Sequence, residues 1–468
     1  MPRDDDAVLR ELAALGLPPE SSTDLELTED GVALRFAQQH GDELRYCHDT
    51  RRWFLWTGTH WQENRDHLAF SWARALARSL NRDSEFKTKA ITGKVAFASG
   101  VEKFAQTDRA FAVTAEVWDT NAWLLGTPGG TVDLRTGTMR PAVQGEFITK
   151  LCAIAPAEPG ATCDTWLKFL DDATGKDDGL IRFMQQWCGY CLTGETTEHA
   201  LMFIYGAGMN GKSVLLNTAA GIMGDYAKNA AMDVFAASQH DRHSTELAML
   251  RGARLVTASE TEEGRAWAEA RIKALTGGDL VTARFMHRDN FTFRPAFKLT
   301  IAGNHKPALK NVDEAARRRF NIVPFTRKPA QPDPHLEEKL RAEWPAVLRW
   351  MIDGCLDWQA HRLVRPVVVA EATKEYFEAQ DVFGAWVAER CIMDPHLQER
   401  PGALLDDYNE WAHGNGERKA TRADFRGWAE KQDAMRYKRV KGQDWVEGLG
   451  RKPVGASQWG AQGAEGGA

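Results

Sequence analysis

The residues best placed to do chemistry are Gly206-Ala-Gly-Met-Asn-Gly-Lys-Ser213, which satisfy G-x-x-x-x-G-K-[ST]. Glycine belongs where a side chain would keep the backbone away from a phosphate. A loop that opens a helix turns backbone N–H groups and the positive helix end toward a polyphosphate. The spacing predicts that Gly206, Ala207, Gly208, Met209, Asn210 and Gly211 wrap the phosphates of a nucleoside triphosphate. Lys212 then sits against the β- and γ-phosphates, and the Ser213 hydroxyl ligates magnesium. The β-prone Ala200-Leu-Met-Phe-Ile-Tyr205 precedes the loop and the helix-like Val214-Leu-Leu-Asn-Thr-Ala-Ala220 follows it. A glycine-rich turn matching by chance accounts less well for a strand and a helix in those places.

Three later segments extend this chemistry. Ala253-Arg-Leu-Val-Thr-Ala-Ser-Glu260 reads as an apolar strand ending in a carboxylate. An acid at the C-terminal edge of a parallel strand faces the γ-phosphate, so Glu260 is expected to orient or deprotonate the attacking water and to help hold magnesium. Ser259 stands where a paired acid is often found; Glu262 or Glu263 can share the work, or Glu260 acts alone with Ser213. Phe297-Lys-Leu-Thr-Ile-Ala-Gly-Asn304 is a second buried-strand pattern, ending in an amide that can hold water or phosphate without adding charge. Ala316-Arg-Arg-Arg-Phe-Asn-Ile-Val-Pro-Phe325 sets three arginines before a strand. Their anion is either a surface carboxylate or the γ-phosphate bound by a neighbouring subunit.

The rest of the chain must position these groups. Its 468 residues suffice for two or three domains, and 43% hydrophobic and 26% charged residues are ordinary for soluble protein. No apolar run is long enough to span a bilayer, and Met1-Pro-Arg-Asp-Asp-Asp6 is not a signal peptide, so no membrane partner is expected. A net charge of −6 does not announce nucleic acid, although a local basic surface would suffice to bind it. Seven scattered cysteines suit a reducing cytosol. Cys188 and Cys191 resemble a dithiol pair but fall on the C-terminal side of a helical pattern, where nothing lowers a thiol pKa. The many tryptophans of the N-terminal region could stack bases, but core packing explains them more cheaply.

The pattern predicts an α/β protein organised as follows. An acidic, polar segment (residues 1–29) leads into an α+β domain (30–155) with a helical stretch near His67–Arg109. A nucleotide domain (165–328) and a helical connector (335–380) come next. A winged-helix-like module (382–452) carries the basic hairpin Arg436-Tyr-Lys-Arg-Val-Lys-Gly-Gln-Asp-Trp445, and a Gly/Ala-rich tail (453–468) is expected to be disordered.

Together the Gly206–Ser213 loop, Ala258-Ser-Glu-Thr-Glu262, Lys273-Ala-Leu-Thr-Gly-Gly-Asp279, Ala302-Gly-Asn-His-Lys-Pro307 and the Arg318-Arg-Phe-Asn-Ile-Val-Pro-Phe325 run resemble superfamily 3 helicases, and more closely the phage and plasmid primase–helicase branch. The resemblance spans about Asp30 to Lys452 and includes Gly130-Thr-Val-Asp-Leu-Arg-Thr-Gly137. It implies a P-loop, AAA+-like ATPase core that uses ATP and Mg2+. It also implies a homo-oligomeric ring, expected to be a hexamer, that threads single-stranded DNA at a fork and moves 3′ to 5′. Asn304 falls at the sensor-1 position, and Arg319, then Arg318, match the arginine finger.

In such rings a hairpin before the sensor strand lines the pore, and Leu280–Arg294 fits, with His287 and Arg288 at a polar tip suited to tracking a phosphate backbone. Only about thirty acidic, polar residues precede the shared region, so primase activity is not expected here and a separate primase or origin-binding protein would supply it. The leading expectation is therefore a replicative DNA helicase of a phage, prophage, satellite or plasmid, working in the cytoplasm of a bacterial host. The alternative is an ATP-gated DNA-anchoring or assembly protein without unwinding activity.

Overall fold

The computed structural model describes residues 27–237, 244–260, 266–284, 290–309, 314–329 and 331–453, with Ser244 and Glu260 as backbone only. The chain forms two units: residues 1–133 with 138–151, and residues 134–137 with 152–468.

In the first unit α1 (Glu29–His40) starts at Thr28, whose hydroxyl accepts the Gly31 N–H, and carries Glu29 and Asp30 in its first turn. Cap and acids both answer the unpaired N–H groups of a helix start. Strands β1 (Leu44–Cys47), β2 (Arg52–Trp56) and β3 (Trp61–Glu63) follow, then helices α2 (Leu68–Leu80), α3 (Phe86–Thr92) and α4 (Val95–Thr107), then β4 (Ala112–Val113). The sheet order is β3-β2-β1-β4, antiparallel except for β4 on β1. Helices α1, α2 and α4 cover it, burying Phe36, Trp53, Ala73, Val101 and Phe111 in one cluster. Breaks at Asn81 and Gly93 divide the helical stretch expected over 67–109 into three. Trp53 and Trp61 are buried, as core packing requires. A meander of β5 (Leu124–Thr127), β6 (Gly130–Asp133) and β7 (Thr138–Arg140) completes the unit.

The second unit runs α5 (Asp164–Thr174), α6 (Asp178–Leu192), β8 (Leu201–Tyr205), α7 (Lys212–Met223), β9 (Ala227–Asn229), α8 (Ser244–Met249), β10 (Leu255–Glu260) and α9 (Glu269–Gly277). After these come β11 (Val281–Arg284), β12 (Asn290–Phe293), β13 (Lys298–Gly303), α10 (Glu314–Arg319), β14 (Phe320–Pro324), α11 (Leu336–His361) and α12 (Val367–Gln380). Five strands build a wholly parallel sheet in the order β14-β8-β13-β10-β9. Its central strands are apolar and almost entirely buried, as expected where helices cover both faces. Cys188 and Cys191 lie on α6 as free, buried thiols; burial raises both pKa values, that of Cys191 to about 12, so neither is primed for redox chemistry.

The chain ends in α13 (Val382–Arg390), β15 (Cys391–Glu399), α14 (Pro401–Gly414), α15 (Arg422–Ala429), β16 (Arg436–Val440) and β17 (Gln443–Arg451). Its antiparallel sheet has the order β15-β17-β16. Trp386, Leu404, Tyr408, Phe425 and Val446 form its own core, and Thr421 with Asp424 makes a capping box at the start of α15.

Candidate nucleotide site

The parallel sheet dictates where a ligand can sit. From β8 the chain passes through α7 to the edge strand β9, whereas from β13 it passes through α10 to β14 on the far side of β8. Connections that leave neighbouring strands in opposite directions open a crevice beyond their carboxyl ends. The register puts those ends in one row: Glu260 opposite Gly303, Gly303 opposite Tyr205, and Tyr205 opposite Pro324. Glu260, Asn304 and the loop from Gly206 therefore share one edge.

Within that loop Gly206, Met209 and Gly211 all have positive φ (156°, 65° and 87°). A Cβ on Gly206 would run into the Phe325 carbonyl, and one on Gly211 would meet the Phe169 ring at 2.6 Å. A Cβ on Gly208 would meet nothing within 4 Å. Two of the glycines are thus demanded by the fold, and the third keeps space open above the loop. The Gly206 N–H donates to the Gly303 carbonyl at 3.3 Å. Among the described residues, the backbone N–H groups from Ala207 to Ser213 donate to no acceptor in the chain. Successive unpaired N–H groups opening a helix form a concavity for an anion.

The Lys212 ammonium turns back onto this concavity, donating to Gly206 O at 2.6 Å, Asn210 Oδ1 at 3.0 Å and Asn304 Oδ1 at 3.2 Å. Asn210 in turn donates to the Phe325 carbonyl, tying the loop to the end of β14. No carboxylate is among these partners, and burial lowers the Lys212 pKa. A cation held by neutral oxygens beside unpaired N–H groups fits the polyphosphate that the motif calls for. Ser213, the next residue, is exposed.

Beside the loop lies a cavity of about 630 Å³, within the size range of small-ligand sites. Asp164, Lys168 and Phe169 of α5, Met209 of the loop, Arg327 and Leu336 contribute to its wall. The sequence pattern singled out none of these except Met209. Phe169 looks like an ordinary amphipathic helix residue and Arg327 like the end of a strand; only tertiary packing brings them to the loop.

Other expected residues are not brought to the loop. Arg318 and Arg319 precede β14, so they lie at the opposite edge of the parallel sheet. Its five residues, at ~3.3 Å each, separate the edges by roughly 16 Å. Arg319 donates from Nη1 to Ala315 O at 2.8 Å, while its buried Nε has no partner. Arg318 is exposed, and Arg317 lies over the Phe377 ring. β11 and β12 pair as antiparallel arms up to Arg284 opposite Asn290; His287 and Arg288, expected at the tip, lie outside the described residues.

The family described as "D5 N terminal like" matches residues 33–175, and a family of unknown function matches residues 204–319. A protein of Acanthamoeba polyphaga mimivirus named "Putative helicase" is 25% identical over 324 residues, covering 64% of this chain and 34% of the relative. A frog virus 3 protein of the same description is 25% identical over 264 residues, covering 51% and 27%. A protein of African swine fever virus named "Putative primase" is 21% identical over 334 residues, covering 64% and 34%. The chain thus spans about a third or less of the length of these relatives. Together the matches support a phage or viral primase–helicase family. A solved structure titled the apo structure of NrS-1 C terminal region has a similar mixed α/β fold, with a TM-score of 0.52 at 10% identity, covering 92% of this chain and 100% of that one. Among the described residues, no helix is long and apolar enough to cross a membrane.

Proposed function

We propose that this chain is an ATP-driven replicative DNA helicase of a phage, prophage, satellite or plasmid, with a superfamily 3, AAA+-like P-loop core. The carrying observation is the row of strand ends on which Glu260, Asn304 and the unpaired N–H groups of the glycine loop meet. The viral relatives named as helicases and a primase support the same reading from outside the chain. The helix–strand–helix–helix–strand–strand order after Asp381 supports a winged-helix-like module.

Bound ATP supplies the phosphoryl chemistry that drives the motor. The N–H groups from Ala207 to Ser213 hold its phosphates, and Lys212 exchanges its carbonyl partners for phosphate oxygens. The Ser213 hydroxyl, with help from Glu260, would hold magnesium, which would neutralise phosphate charge, since this ion commonly binds through one or two carboxylates together with substrate phosphates. Glu260 orients the attacking water and takes its proton, and the Asn304 amide holds that water or the γ-phosphate in place. Arg319, or Arg318, comes from the neighbouring subunit of a hexameric ring. His287 and Arg288 follow single-stranded DNA through its pore, with 3′-to-5′ movement. The setting is a bacterial cytoplasm, with a separate primase or origin-binding protein as partner.

The test measures ATP hydrolysis and forked-duplex unwinding on the same preparations. Lys212→Ala should abolish both, whereas Arg288→Glu should keep basal hydrolysis and lose DNA stimulation and unwinding together. Turnover at the wild-type rate in Lys212→Ala would remove the nucleotide assignment. ATP-triggered assembly without DNA-stimulated turnover in the parent protein would favour the anchoring alternative.

A further inference from the structure

The first unit holds a second polar concavity that the motor reading does not use. It is a cavity of about 250 Å³, below the ~300–1,000 Å³ of whole-ligand pockets and so sized for a chemical group. Arg51, Arg52, Arg65 and His67 line it, together with Trp53 and Glu102. Arg51 comes from the turn between β1 and β2, Arg52 opens β2, and Arg65 and His67 come from the approach from β3 to α2.

Among the lining residues three arginines face one carboxylate, Glu102. Arg52 and Arg65 share one carboxylate, Glu63, each at 3.7 Å. Glu102 accepts from the Trp53 indole at 3.0 Å and keeps its negative charge. Among the described residues the side chains of Arg51 and His67 have no hydrogen-bond or ion-pair partner. α2 starts beside them without an acid in its first turn, and among the described residues the N–H groups of Ala69 and Phe70 find no acceptor.

The backbone adds a separate observation. Arg51 and His67 both adopt left-handed conformations, at φ 55° and 59°. Histidine takes this conformation more readily than most residues, but arginine does not. Strain at Arg51, which lines the cavity, fits a side chain positioned for a ligand. Guanidinium forks are matched by the oxygens of a phosphate.

We propose that this cavity binds a phosphate group, carried either by a free nucleotide or by a DNA strand. The test uses the full chain carrying Lys212→Ala, which weakens phosphate binding at the glycine loop. Calorimetric titrations with inorganic phosphate, dAMP, and an oligothymidylate with and without a 5′-phosphate supply the probes.

Arg51→Gly and Arg65→Gln should each weaken binding by about tenfold or more, as expected for loss of a charged hydrogen bond. Arg74→Gln, an exposed α2 arginine outside the cavity lining, should leave it unchanged. Arg51→Gly also relieves the left-handed strain, so its melting temperature should hold or rise, separating lost binding from lost folding. Saturation by phosphate or dAMP identifies the free-nucleotide source; binding of the oligonucleotides alone, weakening as salt rises, identifies the strand. If no probe binds, or if every probe binds Arg51→Gly and Arg65→Gln as tightly as the parent, the proposal fails.

Discussion

Replacing Arg319 by alanine separates action within one chain from action between chains. Arg319 stands at the start of β14 and the glycine loop beyond the carboxyl end of its neighbour β8, roughly 16 Å apart at ~3.3 Å per residue. At that separation two unit charges in water interact by only about 0.3 kcal/mol, and the distance exceeds the ~10 Å screening length of 0.1 M salt. An arginine finger contributes on the order of 10³-fold or more, which is about 4 kcal/mol. The within-chain contribution is too small by an order of magnitude. If Arg319→Ala removes most of the turnover, the arginine acts on another copy.

The substitution should leave the fold intact. It removes one charged hydrogen bond to Ala315 O but also a buried Nε without a partner, so the two effects offset to within about 1 kcal/mol. The assay mixes Arg319→Ala with Lys212→Ala subunits, each inactive alone, and measures ATP hydrolysis. In a ring of head-to-tail contacts with random mixing, roughly a quarter of interfaces regain both groups, and activity should return in that proportion. Subunits shown to co-assemble that recover nothing would refute the reasoning.

Four further outcomes can be measured. Gly208→Ala should melt within about 0.5 kcal/mol of the parent because its Cβ meets nothing, yet bind nucleotide more weakly. Gly211→Ala should lose about 1–3 kcal/mol against the Phe169 ring and its positive φ; thermal melts beside nucleotide titrations decide, and undiminished binding by Gly208→Ala would show that nothing approaches there. Glu260→Gln should bind ATP and stall, read from paired binding and single-turnover assays, with normal turnover counting against the carboxylate. Lys298 is fully buried, donates to the Thr193, Glu195 and Ala296 carbonyls, and has its pKa pushed by burial down to about 7. Between pH 7 and about 10 the unfolded chain holds a proton that the folded chain has lost, so wild-type stability should rise relative to Lys298→Met across that window. Denaturant midpoints at pH 7 and pH 9 that keep a constant gap would contradict this.

What could be read from the sequence was local. Gly206–Ser213 is bracketed by its own strand and helix, and Glu260 and Asn304 each end an apolar run, so their common edge follows once the strands are parallel. The arms of the β11–β12 hairpin show through their alternation about a polar middle. The cavity beside the loop was not legible, because Phe169 and Arg327 come from segments that flank the sheet in sequence and carry no shared pattern. β15 was hidden for another reason. It contains Pro395, leaves most of its residues exposed and bulges between Asp394 and Gln398, so it exists as a strand through its pairing with β17 rather than through its own pattern.

A wholly parallel sheet also constrains how such a site can be completed. Whatever follows a strand lies on one edge and whatever precedes it lies on the other. Lys212, Asn304 and Glu260 all follow or end strands, whereas Arg317, Arg318 and Arg319 come just before one. Moving Arg319 to the loop of its own chain would mean withdrawing β14, whose Ile322 and Val323 are fully buried and whose Asn321 donates to the Leu201 carbonyl. That is partial unfolding, not a side-chain motion. A second copy needs no such rearrangement, since a head-to-tail contact can lay one copy's arginine edge against another's loop edge. On the proposed reading, assembly supplies the one group that the topology of a single chain holds away from its own phosphates.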